Sequence, residues 1–293
     1  MRIKKLITSV ALMLLSGSVF ATPVLTNTLQ DALDSRTEGG AFFDVNTSQY
    51  NPDEQWEISS AGSQISVLLF ELAALAMNST FGIYDLNDVD LPGATSLDDI
   101  THLQLYDGSE TTGETRQLHI DDSQIGTSTG VGFGVFNKYG QYIDHQYGFV
   151  GRNFGYYLDS SAATNGGLFF SENYLNTNTG GGNSGTTDHM LAFRGDGELQ
   201  IDVDGVGQGA GYSPFGQSEY ILAFEGQNYD TVMPDNSNFD FADFVVLVQG
   251  VYPTGNGPMS ASVPEPSAIW LLALGMLGLG MANRRRKMTL VTV

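Results

Sequence analysis

From residue 22 to about residue 258, short apolar or alternating runs are separated by turn clusters at intervals of roughly 8–12 residues, the pattern of an all-β sandwich or barrel. The candidate strands are 66–72, 79–84, 102–106, 117–120, 132–137, 148–158, 167–171, 189–193, 199–203, 219–224 and 244–251. Between them stand Asn87-Asp88, Leu91-Pro92-Gly93, Asp107-Gly108, Asn165-Gly166-Gly167, Gly195-Asp196-Gly197 and Asp204-Gly205. Such residues adopt positive φ or bond their own backbone, as tight reversals require. No long amphipathic helix interrupts the pattern. Ile65 to Met77 is nearly all apolar, but with Glu71 in its middle it is too short and too polar to span a bilayer. It predicts a buried strand followed by a helical turn. Asn176 to Thr187 has no apolar anchor and predicts a loop. The expected fold is all-β, a single β-sandwich or jelly-roll-like domain over residues 22–251.

Both ends break this pattern. Residues 1–21 begin with Arg2, Lys4 and Lys5, run apolar from Leu6 to Leu15, and place Val19 and Ala21 at the −3 and −1 positions of a cut after Ala21. This is the layout of a secretory signal peptide, read by the export translocon. At the other end, residues 252–266 form a Pro- and Gly-bearing linker that closes on Val263-Pro264-Glu265-Pro266, stiff and non-helical. Residues 267–287 follow, with an uncharged apolar run from Ala268 to Ala282 and then Arg284, Arg285, Arg286 and Lys287. The run predicts a short transmembrane helix, whose length of about 22 Å needs help from flanking residues or local thinning to span a ~30 Å hydrocarbon core. The basic cluster fixes its own side as cytoplasmic and leaves the body outside. Residues 288–293 form a tail.

The Pro264-Glu265-Pro266 motif, short apolar helix and terminal arginine cluster together resemble the PEP-CTERM sorting signal of exported bacterial proteins. The resemblance implies processing by an exosortase, a membrane Cys enzyme of organisms that make exopolysaccharide. It implies anchoring in the inner membrane of a Gram-negative-type cell until processing, then release to the surface or extracellular matrix. The tail after the basic cluster departs from the usual pattern, in which that cluster ends the chain.

Composition sharpens the choice of partners. Charged residues make up only 15% of the 293-residue chain and 36 residues are glycine, which suits turns between short strands more than disorder or a coiled coil. The net charge is −21, yet seven of the 12 basic residues lie in two end segments that hold no acid. Five basic residues therefore face 33 acidic ones between them, a balance of −28 that repels phosphate backbones and excludes nucleic acid as a partner. There is no cysteine, so the exported domain is held by its core or by ions and not by disulfides.

The sharpest local chemistry lies in 230–251. Asp235, Asn238, Asp240 and Asp243 gather hard oxygen donors in one turn before an apolar strand, a candidate Ca²⁺ site; the competing reading is an Asx-rich turn capping its own amides. His189 to Phe193, Tyr220 to Glu225 and Phe239 to Val246 together resemble the end of a domain of unknown function common in bacterial surface proteins. That resemblance implies a β-sandwich, a place for calcium and no enzymatic activity, although Ala242 stands where the family has Asn.

Motifs for catalysis are missing: no Gly-x-Ser-x-Gly elbow, His-Glu-x-x-His pair or phosphate loop occurs, and the four His are scattered. The protein is therefore expected to be non-enzymatic. Two alternatives stay open, a polysaccharide-binding module and a glycoside hydrolase, since 33 acids offer many carboxylate pairs. Phe133, Phe136, Tyr139, Tyr142, Tyr147, Phe149, Phe154, Tyr156 and Tyr157 crowd one stretch and form either a sugar-stacking face or strand core. Arg194-Gly195-Asp196 matches an adhesion tripeptide and is equally a plain hairpin turn.

Overall fold

A computed structural model of the chain describes residues 24, 26–39, 43–58, 63–71, 79–88, 90–121, 130–163, 166–176, 188–203, 211–227 and 240–254. A short helix α1 (Thr28–Asp34) precedes the strands β1 (Thr37–Glu38), β2 (Trp56–Ile58), β3 (Ser63–Glu71), β4 (Thr80–Asp85), β5 (His102–Asp107), β6 (Thr115–Asp121) and β7 (Val131–Asn137). There follow β8 (Tyr142–Phe149), β9 (Asn153–Asp159), β10 (Leu168–Phe170), β11 (Met190–Arg194), β12 (Gln200–Asp202), β13 (Tyr212–Pro214), β14 (Glu219–Phe224), β15 (Phe244–Gln249) and β16 (Val251–Pro253).

These strands build a seven-stranded sheet in the order β11-β14-β15-β3-β6-β7-β8 and a six-stranded one in the order β16-β2-β9-β4-β5, with β10 beside β9. A small third sheet runs β1-β12-β13. Every pairing is antiparallel. The two large sheets meet across one aromatic core. Phe81 of β4 lies 5.7 Å from Phe224 of β14 and 4.9 Å from Phe244 of β15. Trp56 of β2 meets Tyr220 at 5.0 Å, and Phe154 of β9 meets Phe133 of β7 at 6.0 Å. Offset and edge-on rings of this kind add to the burial energy of the aromatic surface itself.

The seven-stranded sheet is covered unevenly. Behind β11, β14, β15 and β3, Leu191, Phe193, Ile221, Ala223, Val245, Leu247 and Leu69 join a second core with Leu29 and Leu33 of α1, Ile201 of β12 and Phe215. Of these, β11, β14 and β15 are buried on both faces and read as nearly unbroken apolar runs. Among the described residues β6, β7 and β8 have no such cover, and β8 is largely exposed. Along β7 the residues alternate: Val131, Phe133 and Val135 enter the core, while Gly132, Gly134 and Phe136 take the opposite face.

Glycine is required at two positions for clear reasons. Gly155 of β9 pairs with Tyr84, whose ring lies across it; a Cβ there would stand 2.3 Å from Tyr84 Cζ. Gly250, at φ 77°, turns the chain out of β15 in one sheet and into β16 in the other.

The all-β reading of the sequence stands, with sheets and no barrel. The expected strand 148–158 is two strands, β8 and β9, broken at 150–152. The expected strand 244–251 is likewise divided at Gly250. Pairing of β16 with β2 extends to Pro253, into the stretch read as linker. The pattern gave no signal for β1, β2 and β13, each only two or three residues long. Among the described residues no helix is long and apolar enough to cross a membrane. The expected signal peptide, with Val19 and Ala21, and the expected C-terminal helix fall on residues outside them.

Candidate functional site

A cleft of about 350 Å³ opens on the uncovered face of β6, β7 and β8. Its floor follows from strand register. His119, Gly134 and His145 face one another across the three strands, so the two imidazoles flank a position with no side chain. Phe136 and Tyr142 form the next rung on one side, and Asp121 with Gly132 the rung on the other. Aromatic rings wall the cleft. Phe136 sits 5.0 Å from His119 and 5.8 Å from Tyr142, and His145 sits 4.9 Å from Tyr147, all edge-on.

Hydrogen bonds hold these rings in place. Tyr142 Oη is bonded to His145 Nδ1. Tyr147 donates from Oη to Asp121 Oδ2 at 3.0 Å, and that carboxylate holds the phenol above its usual titration range. The Tyr147 ring crosses over Gly132, where a Cβ would stand 2.5 Å from it. Glycine at 132 and 134 thus gives the Tyr147 and Phe136 rings room to lie across β7, and the tyrosines and histidines of the flanking strands line the cleft. Apolar ring faces with a polar rim suit a flat ligand bearing hydroxyls at its edge.

The aromatic crowd read from the sequence divides between the two alternatives. Phe133, Phe149, Phe154, Tyr156 and Tyr157 are core. Phe136, Tyr142 and Tyr147 line the cleft, and Tyr139 is 76% exposed on the β7–β8 turn. Sequence reasoning missed His119, His145 and Asp121 as members of this group, because nothing local connects β6 to β8 through a glycine in β7.

The second candidate lies where β14 ends and β15 begins. Asp240 and Asp243 are both buried, beside a third carboxyl that the metal reading did not include, that of Glu225. Glu225 accepts from the amides of Asp240 at 2.8 Å and Phe241 at 3.2 Å through one oxygen, and from Gln227 at 3.0 Å through the other. Asp243 Oδ2 accepts from Gly226 N at 2.8 Å, and Asp240 Oδ1 from Ala242 N at 3.0 Å. Burial, and then the neighbouring Asp243 charge, drives the Glu225 carboxyl well above the usual carboxylate range. Burial raises Asp243 as well. The turn is tightened by Phe241, a non-glycine residue at φ 55°.

One oxygen of each of Asp240 and Asp243 accepts from a main-chain amide, and among the described residues no three His, Asp or Glu side chains are placed to hold a metal ion. Asp235 and Asn238 lie outside the described residues. His189, fully buried, precedes the edge strand β11; it stacks on Phe169 at 4.0 Å and shares a hydrogen bond with the Glu225 carbonyl through Nδ1. Arg194-Gly195-Asp196 is a turn: Asp196 Oδ1 accepts from the amides of Glu198 and Leu199, and Gly195 packs on the Phe215 and Gly216 carbonyls.

Residues 262–287 match a family model described as the PEP-CTERM protein-sorting motif. The chain carries a PEP-CTERM sorting signal. It spans Val263, Pro264, Glu265 and Pro266 through Arg284, Arg285 and Arg286, all outside the described residues. Such a signal implies export, processing by an exosortase while anchored at the membrane, and passage to the surface. Neither the curated proteins nor the solved structures contain a match to this chain.

Proposed function

We propose that the chain is a non-enzymatic cell-surface or extracellular-matrix protein of a Gram-negative-type bacterium, associated with exopolysaccharide, whose β-sandwich body is the delivered cargo. The observation that carries this reading is the sorting signal at 262–287. The translocon takes the chain through residues 1–21 and the cut after Ala21. The C-terminal helix then holds it in the inner membrane until exosortase acts. The resemblance of the body's end to a surface-protein domain agrees with this destination.

Two features support a non-enzymatic body. Among the described residues the cleft lining carries one carboxylate, Asp121, where glycoside hydrolysis uses two. The carboxyls of Glu225 and Asp243 are buried.

Deleting residues 264–287 tests the reading. The truncated protein should be lost from the processed surface or matrix fraction and accumulate elsewhere, as read by fractionation and immunoblotting. Unchanged fractionation overturns it.

Calcium is proposed for the 235–243 turn on its donor types, hard oxygens of Asp235, Asn238, Asp240 and Asp243. Its check is a calcium-dependent rise in Tm that the double variant Asp240→Ala/Asp243→Ala abolishes. A wild-type Tm indifferent to calcium and to chelator disposes of the site.

A further inference from the structure

We propose that the cleft over β6, β7 and β8 is a binding site for an uncharged pyranose segment of a polysaccharide. A pyranose ring presents axial C–H bonds on its faces and hydroxyls around its rim. The C–H faces are attracted to the negative face of an aromatic ring, and the hydroxyls need donors and acceptors beside it. The cleft supplies both. Phe136, Tyr142 and Tyr147 offer rings, while His119, His145 and Asp121 offer polar atoms at the margins. A volume of about 350 Å³ falls within the size range of small-ligand sites.

Three observations point to a ligand and away from spare surface. Gly132 and Gly134 stand at alternate positions on the same face of β7, which lets the Tyr147 ring lie over Gly132 and the Phe136 ring lie beside Gly134, so that the rings are laid across the strand. The exposed tyrosines are held by partners, Tyr142 by His145 and Tyr147 by Asp121, which lowers the ordering cost of binding. The other half of the same sheet face is buried under α1 and the small sheet, whereas among the described residues this half carries no such cover.

Charge selects the class of sugar. Among the described residues no Lys or Arg lines the cleft, Asp121 does, and the segment between the basic ends carries −28. Uronate and sulfated chains are repelled by that field, and neutral hexose chains are not. With a single carboxylate in the lining the site binds glycan without cleaving it. The inference is independent of the sorting signal, because a missorted protein would keep the cleft.

The test is calorimetric titration of the full chain in a zwitterionic detergent without sugar headgroups. The probes are gluco-, manno- and galacto-configured neutral hexasaccharides, with hexagalacturonate as the anionic comparison. At least one neutral probe should bind with a millimolar or lower Kd, and Tyr142→Ala/Tyr147→Ala should weaken it by about tenfold or more. Gly134→Val keeps both tyrosines, suits a strand and fills the floor beside Phe136; it should weaken binding as well and serves as the readout should the tyrosine variant fail to fold. The proposal is overturned if no neutral probe binds, if both folded variants bind as wild type does, or if the galacturonate binds as tightly as the best neutral probe.

Discussion

Glu71 closes β3 with Oε1 buried and without a hydrogen-bond partner among the described residues. Burial, followed by the charges of Glu110, Asp107 and Asp243, pushes its carboxyl up to about 8. A folded-state value above the unfolded one adds stability that is whole below about 4.5 and is lost as pH rises through about 8. Buried His189 has the opposite sign: burial lowers it to about 4, so its contribution is whole above 6.5 and is lost as pH falls toward 4. From pH 8 down to 6.5 Glu71 acts alone of the two, and the protein should become more stable on mild acidification. Glu71→Gln should flatten that slope and raise Tm at pH 8 by about 2–4 °C, equivalent to about 1 kcal/mol in a body of this size, as read by thermal melts across the pH series. A steeper or unchanged slope in the variant would refute the assignment. None of this was legible in the sequence, which shows Glu71 as a polar interruption in an apolar run and cannot show which acids fold back against it.

Among the elements, the strands most legible in the sequence were those buried on one or both faces. β14 has the bounds the pattern predicts, because Glu219 and the acid after Phe224 bracket an unbroken apolar run. The three-residue strands are legible only through their partners: β2 and β16 exist because Trp56 and Ile58 meet Pro253 and Val251. The cleft was half legible. The crowd of rings is visible in the chain, but which rings face out depends on α1 covering one half of the sheet and not the other. That cover is a short helix holding the outer core through Leu29 and Leu33, both fully buried. Leu33→Ala should cost about 2–5 kcal/mol in denaturant unfolding, with lost transfer energy and the remaining cavity both contributing. A change under about 0.5 kcal/mol would mean that α1 contributes no more than a surface substitution does.

For the molecule as a whole, the acidity read from the sequence is managed locally. Arg116 donates to Glu110 Oε1 at 2.6 Å and to Glu114 Oε1 at 2.8 Å, setting one guanidinium against two acids. Elsewhere acids turn to amides, as Glu225 does. The tether read from the sequence continues past Thr254, which follows β16 at the rim of the six-stranded sheet. Any pull along that tether loads the pairs Val251↔Ile58, Tyr252↔Glu57 and Pro253↔Trp56 before it reaches β15. Parting those three pairs pays out about 10 Å of chain at ~3.3 Å per residue. β15, clamped between β14 and β3, stays seated meanwhile. Val251 belongs to the main core, so parting these pairs uncovers core surface at the rim of the six-stranded sheet while the pairs of β15 hold, and β16 is the strand that gives first.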